Sequence, residues 1–336
     1  MNTAKNAYYI AAFLTAVNGT GNDWQLNLSS VGEWLPGSGW SYGNSDKLKN
    51  EWQTLQKQGS SMVVSFGGST FNPGSTITAD TIDELAQAVA YSFLGGASVP
   101  APDSPYANWS PVFSDWHFDG LDLDLEISAN TAADNATWLA FAQAIKKYAP
   151  TALLTGAPQS PYLYNNNVSS PFGVPFPNAA MDTCGNVRKP LSGDFLLSTT
   201  NIGLFDALLV QFYNQGAAND FPTEANFNAR ICQLATLITS STDNKTKIFI
   251  GVATPNDIAI GNNGNTGCIS CNNAMDIGNA ISTAFAAAGG SNSSTWFGGV
   301  MGWDSPTVNS FVQDIIEVCG GDGALYGYQN GNPGWT

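Results

Sequence analysis

The chain reads as an α/β protein whose alternating strands and helices close into a single (β/α)8, or TIM, barrel spanning residues 1–336. Three observations predict it. Apolar runs of strand length alternate with segments of helical period along most of the chain. The length of 336 residues is ordinary for one such barrel and enough to bury a large core. The stretch Phe118-Asp119-Gly120-Leu121-Asp122-Leu123-Asp124-Leu125-Glu126 sets carboxylates into a strand, although strands covered on both faces should read as continuously apolar. Acids in that setting face the centre of a barrel or the mouth of an active site.

Taken in order, Tyr8 to Ala16 is an apolar, aromatic strand, followed by a loop rich in Gly and Asn to about Gly43. Ser45 caps a helix in which Leu48, Trp52 and Leu55 recur at helical spacing. Ser61 to Gly68 is a strand ending in two glycines, and Thr81 to Leu94 a helix with Ile82, Leu85 and Val89 on one side. The acidic strand ends at Glu126 and leads to a helix from Thr131 to Tyr148. Leu153 to Pro158 is a strand, and the irregular stretch from there to about Leu204 is long enough to suggest a functional insertion. Strands at Phe205–Tyr213, Lys247–Ala253 and Trp296–Trp303 then alternate with helices at Glu224–Ile238, Met275–Ala288 and Val308–Val318. A strand-like tail from Gly323 to Asn332 brings the strands to eight.

From Leu121 to Glu126 leucine and carboxylate alternate strictly. Successive strand side chains point to opposite faces, so Asp122, Asp124 and Glu126 form one row, spaced by roughly 6.6 Å. Three ionised acids that close together in a low-dielectric site repel, so at least one should hold a proton with a raised pKa. A carboxyl protonated near neutral pH is what a general acid requires. Glu126 stands at the strand's C-terminal end, where barrels of this kind place their active residues.

With 26 acidic against 11 basic residues the net charge is −15, which excludes a basic surface for nucleic acid or an anionic membrane. No apolar run is long enough for a transmembrane helix. The single histidine, His117, reads as a packing residue at the start of the acidic strand. Among five cysteines, the Cys268-Ile269-Ser270-Cys271 pair lacks a second pair or nearby His for zinc. A small disulfide loop or a redox-inert pair fits it better. Seven Asn-X-Ser/Thr sequons begin at Asn18, Asn27, Asn108, Asn135, Asn167, Asn244 and Asn292. They point to a secreted, extracellular protein whose signal peptide is absent from this sequence.

The acidic stretch Asp119-Gly120-Leu121-Asp122-Leu123-Asp124-Leu125-Glu126 resembles the D-G-x-D-x-D-x-E motif of family 18 glycoside hydrolases, the chitinases. Ser65-Phe66-Gly67-Gly68 is similar to that family's S-x-G-G strand end. Ala157-Pro158-Gln159, Gln211-Phe212-Tyr213-Asn214 and Gly299-Val300-Met301-Gly302-Trp303 resemble elements of its class III, hevamine-like branch. One feature departs from the pattern. Family members begin with a strand carrying a tyrosine and a Gln-Asn-Gly segment, whereas here the similar stretch is Ala324 to Asn332. The resemblance therefore implies a circular permutation, with the C-terminal segment supplying the family's first strand.

The resemblance also implies a chemistry, the retaining, substrate-assisted hydrolysis of β-1,4 linkages between N-acetylglucosamine units. Glu126 would protonate the glycosidic oxygen while the substrate's 2-acetamido oxygen attacks the anomeric carbon, giving an oxazolinium intermediate. Asp124 would hold the acetamido N–H, Asp122 would share a proton with Asp124, and Tyr213 would hold the acetamido oxygen. Gln211, Asn214 and Gln159 would position the sugar, Trp303 would stack beneath it, and Tyr326 would complete the pocket. Ser65, Gly67 and Gly68 read as residues of shape. No cofactor or metal is implied, and the expected partner of a monomer is chitin or another N-acetylglucosamine-containing glycan. An endo-β-N-acetylglucosaminidase cutting the chitobiose core of N-glycans uses the same chemistry, and an inactive chitinase-like lectin is a third reading.

Overall fold

The computed structural model describes residues 6–18, 24–28, 32–35, 39–42, 45–68, 71, 77–96, 111–113, 115–126, 132–159, 201–213, 245–253, 274–287, 296–303 and 308–328. Among the described residues eleven strands form one sheet: β1 (Asn6–Asn18), β2 (Trp24–Leu28), β3 (Gly32–Leu35), β4 (Gly39–Tyr42), β5 (Ser61–Gly67), β6 (Gly120–Asp124), β7 (Leu153–Gly156), β8 (Ala207–Gln211), β9 (Lys247–Ala253), β10 (Phe297–Trp303) and β11 (Asp322–Tyr328). Eight of them, β1 and β5 to β11, run parallel in the order β1-β5-β6-β7-β8-β9-β10-β11. The ring is closed because β11 pairs with β10 on one side and with β1 on the other, Tyr8 opposite Ala324 and Ile10 opposite Tyr326. This is a TIM barrel.

Helices α1 (Ser45–Lys57), α2 (Ile82–Phe93), α3 (Ala132–Tyr148), α4 (Ala274–Ala287) and α5 (Val308–Cys319) belong to the outer layer. Each apolar stripe turns towards the strands. Ile82, Leu85, Val89 and Phe93 of α2 are buried, as are Trp138, Phe141 and Ile145 of α3. The strand period then separates two cores. Leu121 and Leu123 join the large cluster between strands and helices. Ile10, Ala12, Val63, Leu209, Phe249, Met301, Ala324 and Tyr326 form a second cluster of inward-facing side chains. Every residue of β6 is buried, so its acids are enclosed rather than solvated.

The structure changes two readings of the sequence. The Gly- and Asn-rich stretch before Gly43 is not simply a loop: β1 runs on beyond the barrel wall, and β2, β3 and β4 add to it as an antiparallel ladder. Trp24-Gln25-Leu26-Asn27-Leu28 alternates buried and less buried residues, a strand period made inconspicuous by the glycine and asparagine around it. The acidic strand also ends at Asp124, not Glu126. Leu125 and Glu126 follow it, and the Glu126 N–H turns back to the Asp124 carbonyl at 3.2 Å. The helix expected over 224–238 and most of the insertion expected before Leu204 lie outside the described residues.

Candidate active site

Parallel pairing fixes the lower layer of the site. Asp122 stands opposite Ser65 on β5 and Thr155 on β7, so three polar side chains share one level of an otherwise apolar interior. Thr155 Oγ1 donates to Asp122 Oδ1 at 2.6 Å, and Ser65 Oγ donates to Asp122 Oδ2 at 2.9 Å. Tyr326, on the closing strand β11, donates its hydroxyl to the same Oδ2 at 2.8 Å and also meets Ser65 Oγ. The carboxylate of Asp122 is thus occupied by hydroxyls, and its influence on Asp124 is one of charge. Ser65, read from the sequence as a residue of shape, contributes its side chain.

One step along the strand, Asp124 is completely buried. Its Oδ1 accepts from Gln211 Nε2 at 2.9 Å, while its Oδ2 has no hydrogen-bond partner among the described residues. Burial, then the neighbouring charges of Glu126 and Asp122, push the Asp124 carboxyl well above the usual range. Burial also raises Asp122, against the pull of its three hydroxyl donors. Glu126 is raised by burial too, opposed by the hydrogen bonds of the Gln211 and Gln159 amides. Three acids in one enclosed row with upward-shifted titrations can hold and release a proton at its upper end.

Two glutamines hold Glu126 from the neighbouring strands. Gln159 Nε2 donates to Oε2 at 2.9 Å and Gln211 Nε2 lies 3.3 Å from Oε1. Below them, Gly67 ends β5 in a left-handed conformation, φ 122°, with its α-carbon against the Asp124 carbonyl. Any side chain there would overlap that carbonyl. The next residue, Gly68, donates its N–H to the same oxygen at 2.8 Å. The two glycines let one strand end brace the acid-bearing strand.

Aromatic rings line the same end of the barrel. Trp303 is half-buried at the end of β10, with ring centroids 5.1 Å from Tyr326, 5.8 Å from Phe13 and 6.2 Å from Tyr213, the last nearly parallel at 21°. The Tyr213 hydroxyl is directed to Met301 Sδ at 4.0 Å.

Of the residues singled out in the sequence, Asp122, Asp124, Glu126, Gln159, Gln211 and Tyr326 meet directly. Tyr213 and Trp303 join them through the aromatic wall. Asn214 lies outside the described residues. Sequence reasoning missed Thr155 and Phe13. A hydroxyl within the otherwise apolar strand Leu-Leu-Thr-Gly was the available signal for Thr155; nothing separated Phe13 from an ordinary core aromatic. Among the described residues no group of three His, Cys, Asp or Glu side chains could hold a metal ion, and no helix is long and apolar enough to cross a membrane.

No family model matches the chain. Among curated proteins it is 27% identical over 254 residues to an amyloplastic acidic endochitinase, Pun g 14, of Punica granatum, covering 75% of this chain and 67% of that one. It is 28% identical over 213 residues to an acidic endochitinase of Phaseolus angularis, covering 63% and 54%. It is 29% identical over 206 residues to a class III chitinase of Arthroderma benhamiae, covering 60% and 51%. The matches thus span from about half to two thirds of these relatives' lengths. Among solved structures, a chitinase from Ipomoea carnea superposes with a TM-score of 0.54 at 20% identity, over 92% of this chain and 90% of that one. A family 18 chitinase from Pseudoalteromonas aurantia gives 0.53 at 17% identity, over 93% and 92%. These two share the fold. The chain resembles class III and acidic endochitinases in sequence.

Proposed function

We propose that this relative of class III endochitinases is a glycoside hydrolase acting on chitin or chito-oligosaccharides, with Glu126 as its general acid. The observation that carries the reading is the Asp124–Glu126 pair. An acid held by two amides stands beside a buried carboxyl with one unpartnered oxygen, against an aromatic wall. The similarity to two proteins named as acidic endochitinases and one named as a class III chitinase supports it.

In the proposed reaction Glu126 gives its proton to the glycosidic oxygen as that bond breaks. No second carboxylate is needed as nucleophile, since the substrate's own acetamido oxygen closes on the anomeric carbon. Asp124 Oδ2 is available to accept the acetamido N–H and to balance the positive charge that grows on the ring. Water then opens the oxazolinium intermediate with retention, returning its proton to Glu126. Trp303 offers a ring for the sugar to stack on, and Tyr213, whose ring lies nearly parallel to it, is assigned the acetamido oxygen.

A circular permutation is supported by Tyr326, since the strand that closes the ring carries an aromatic hydroxyl of the site and, in the sequence, directly precedes Gln329-Asn330-Gly331. Secretion is supported by the seven sequons, one of which, Asn27, is exposed on β2. A glycan found at Asn27 after expression in a secreting eukaryotic cell would agree with it, and intracellular retention would contradict it.

Mass spectrometry of products tests the function, with wild type and Glu126→Gln incubated beside chitohexaose and a high-mannose glycoprotein. Short chito-oligomers from the wild type alone are expected. Release of the glycan with one N-acetylglucosamine left on asparagine would replace the reading with the N-glycan enzyme. Cleavage of neither substrate would refute hydrolysis, and undiminished activity of Glu126→Gln would refute the acid.

A further inference from the structure

The two glutamines that hold Glu126 are not equivalent. Gln211 Nε2 carries two hydrogens and faces three acceptors: Asp124 Oδ1 at 2.9 Å, the Ala157 carbonyl at 3.0 Å and Glu126 Oε1 at 3.3 Å. Its two shorter contacts use both hydrogens, so Glu126 receives only the remainder. Gln159 Nε2 sits 2.9 Å from Glu126 Oε2 and, among the described residues, is the one amide donor at ordinary hydrogen-bond length.

The backbone around Gln159 is itself anchored. The Ala157 N–H donates to Leu123, the Gln211 N–H donates to the Pro158 carbonyl, and Gln159 and Gln211 form a parallel bridge beyond the end of β7. Position and reach are therefore set by three strands, β6, β7 and β8. Glu126 lies past the end of its own strand and has no such ladder to aim it.

We propose that Gln159 is a positioning residue for the general acid rather than a sugar-binding residue: its amide fixes the plane of the Glu126 carboxyl and favours the ionised form that must follow proton transfer. The inference rests on the reading of Glu126 as the acid. The titratable group beside Glu126 is Asp124 on β6, which in turn faces Asp122 on β6 and Tyr326 on β11, and no basic side chain of the described residues pairs with Glu126. Gln159 and Gln211 are thus the neutral donors that offset this acidic surround, and Gln159 is the one that can be removed without disturbing Asp124.

Gln159→Met keeps the length of the side chain and removes the donor. Hydrolysis of chitohexaose should show kcat lowered about tenfold or more, with KM changed less than twofold. The alkaline limb of the kcat profile should move up by about one pH unit, the shift expected for loss of a hydrogen bond to a charged carboxylate. Gln159→Asn keeps the amide but withdraws it by one methylene, and serves where the Met variant does not fold; the same directions are expected. A second readout needs no turnover: the titration of the 13C-labelled Glu126 side-chain carboxyl, followed by NMR, should shift up by a similar amount. A raised KM with unchanged kcat and an unmoved titration would overturn the proposal and make Gln159 a sugar contact. A wild type that cleaves no chito-oligosaccharide refutes the chitinase reading instead, while the NMR midpoint alone still decides whether Gln159 acts on Glu126.

Discussion

Replacing Thr155 by valine removes one hydroxyl and almost no volume from the layer beneath the acids. Thr155 Oγ1 donates to the completely buried Asp122 at 2.6 Å, leaving that carboxylate with Ser65 and Tyr326 when it is lost. A hydrogen bond to a charged group contributes about 1.5–3 kcal/mol, and one to a neutral group about 0.5–1.5 kcal/mol. The Asp122 carboxyl titrates above its ordinary value because of burial, so its effect on stability is most favourable at low pH and fades as pH rises through the folded-state value. Thr155→Val moves that value further up. The variant should therefore be about 2 kcal/mol less stable than wild type near neutral pH, and the deficit should roughly halve in acid, where Asp122 is protonated. For 336 residues the unfolding entropy is about 0.7 kcal/mol/K, so the neutral-pH deficit corresponds to about 3 °C in Tm. Urea melts of both proteins at pH 7 and pH 4, with m held equal, measure it. An equal deficit at both pH values, or none at neutral pH, would refute the account of Asp122 as a carboxylate held by hydroxyls.

Asp124→Asn should cut kcat by at least about a hundredfold while leaving Tm unchanged or raised near neutral pH, since a carboxyl whose titration is driven up by burial and then by Glu126 and Asp122 opposes folding when ionised. Calorimetry beside the rate assay checks both halves, and a large fall in Tm would count against it. Ending the chain before Asp322 removes β11, which pairs with both β10 and β1 and carries Tyr326. The shortened chain should fail to melt cooperatively, and a soluble, cooperatively melting product would show that the closing strand is dispensable.

Much of this architecture is legible because strands covered on both faces leave few places for a charge. The alternation from Leu121 to Glu126 gives the face on which Asp122 and Asp124 lie, and the structure puts both inside the barrel with the leucines outside. What the period does not give is the end of the strand: β6 stops at Asp124, where Gly67 and Gly68 brace its carbonyl, and a residue-by-residue pattern carries no sign of that contact from β5. Partners across strands were equally hidden. Thr155 and Ser65 reach Asp122 only because parallel pairing sets them at its level, a register decided by the packing of helices and strands far apart in sequence. The ladder β2 to β4 was obscured for a different reason: Trp24-Gln25-Leu26-Asn27-Leu28 alternates, but a run of five residues flanked by glycine and asparagine is short enough to pass for loop.

Barrel closure also has a timetable. Tyr8 and its partner Ala324 are 316 residues apart, and synthesis at about 5–20 residues per second separates their appearance by roughly 16–63 seconds. During that interval the apolar edge of β1 can be occupied on one side by β5 but has nothing to pair with on the other. A nascent chain of this design carries an open, sticky edge for most of its manufacture. The same delay keeps the Tyr326 hydroxyl from Asp122 until the ring shuts, so the acids acquire their final setting only in molecules that have finished folding.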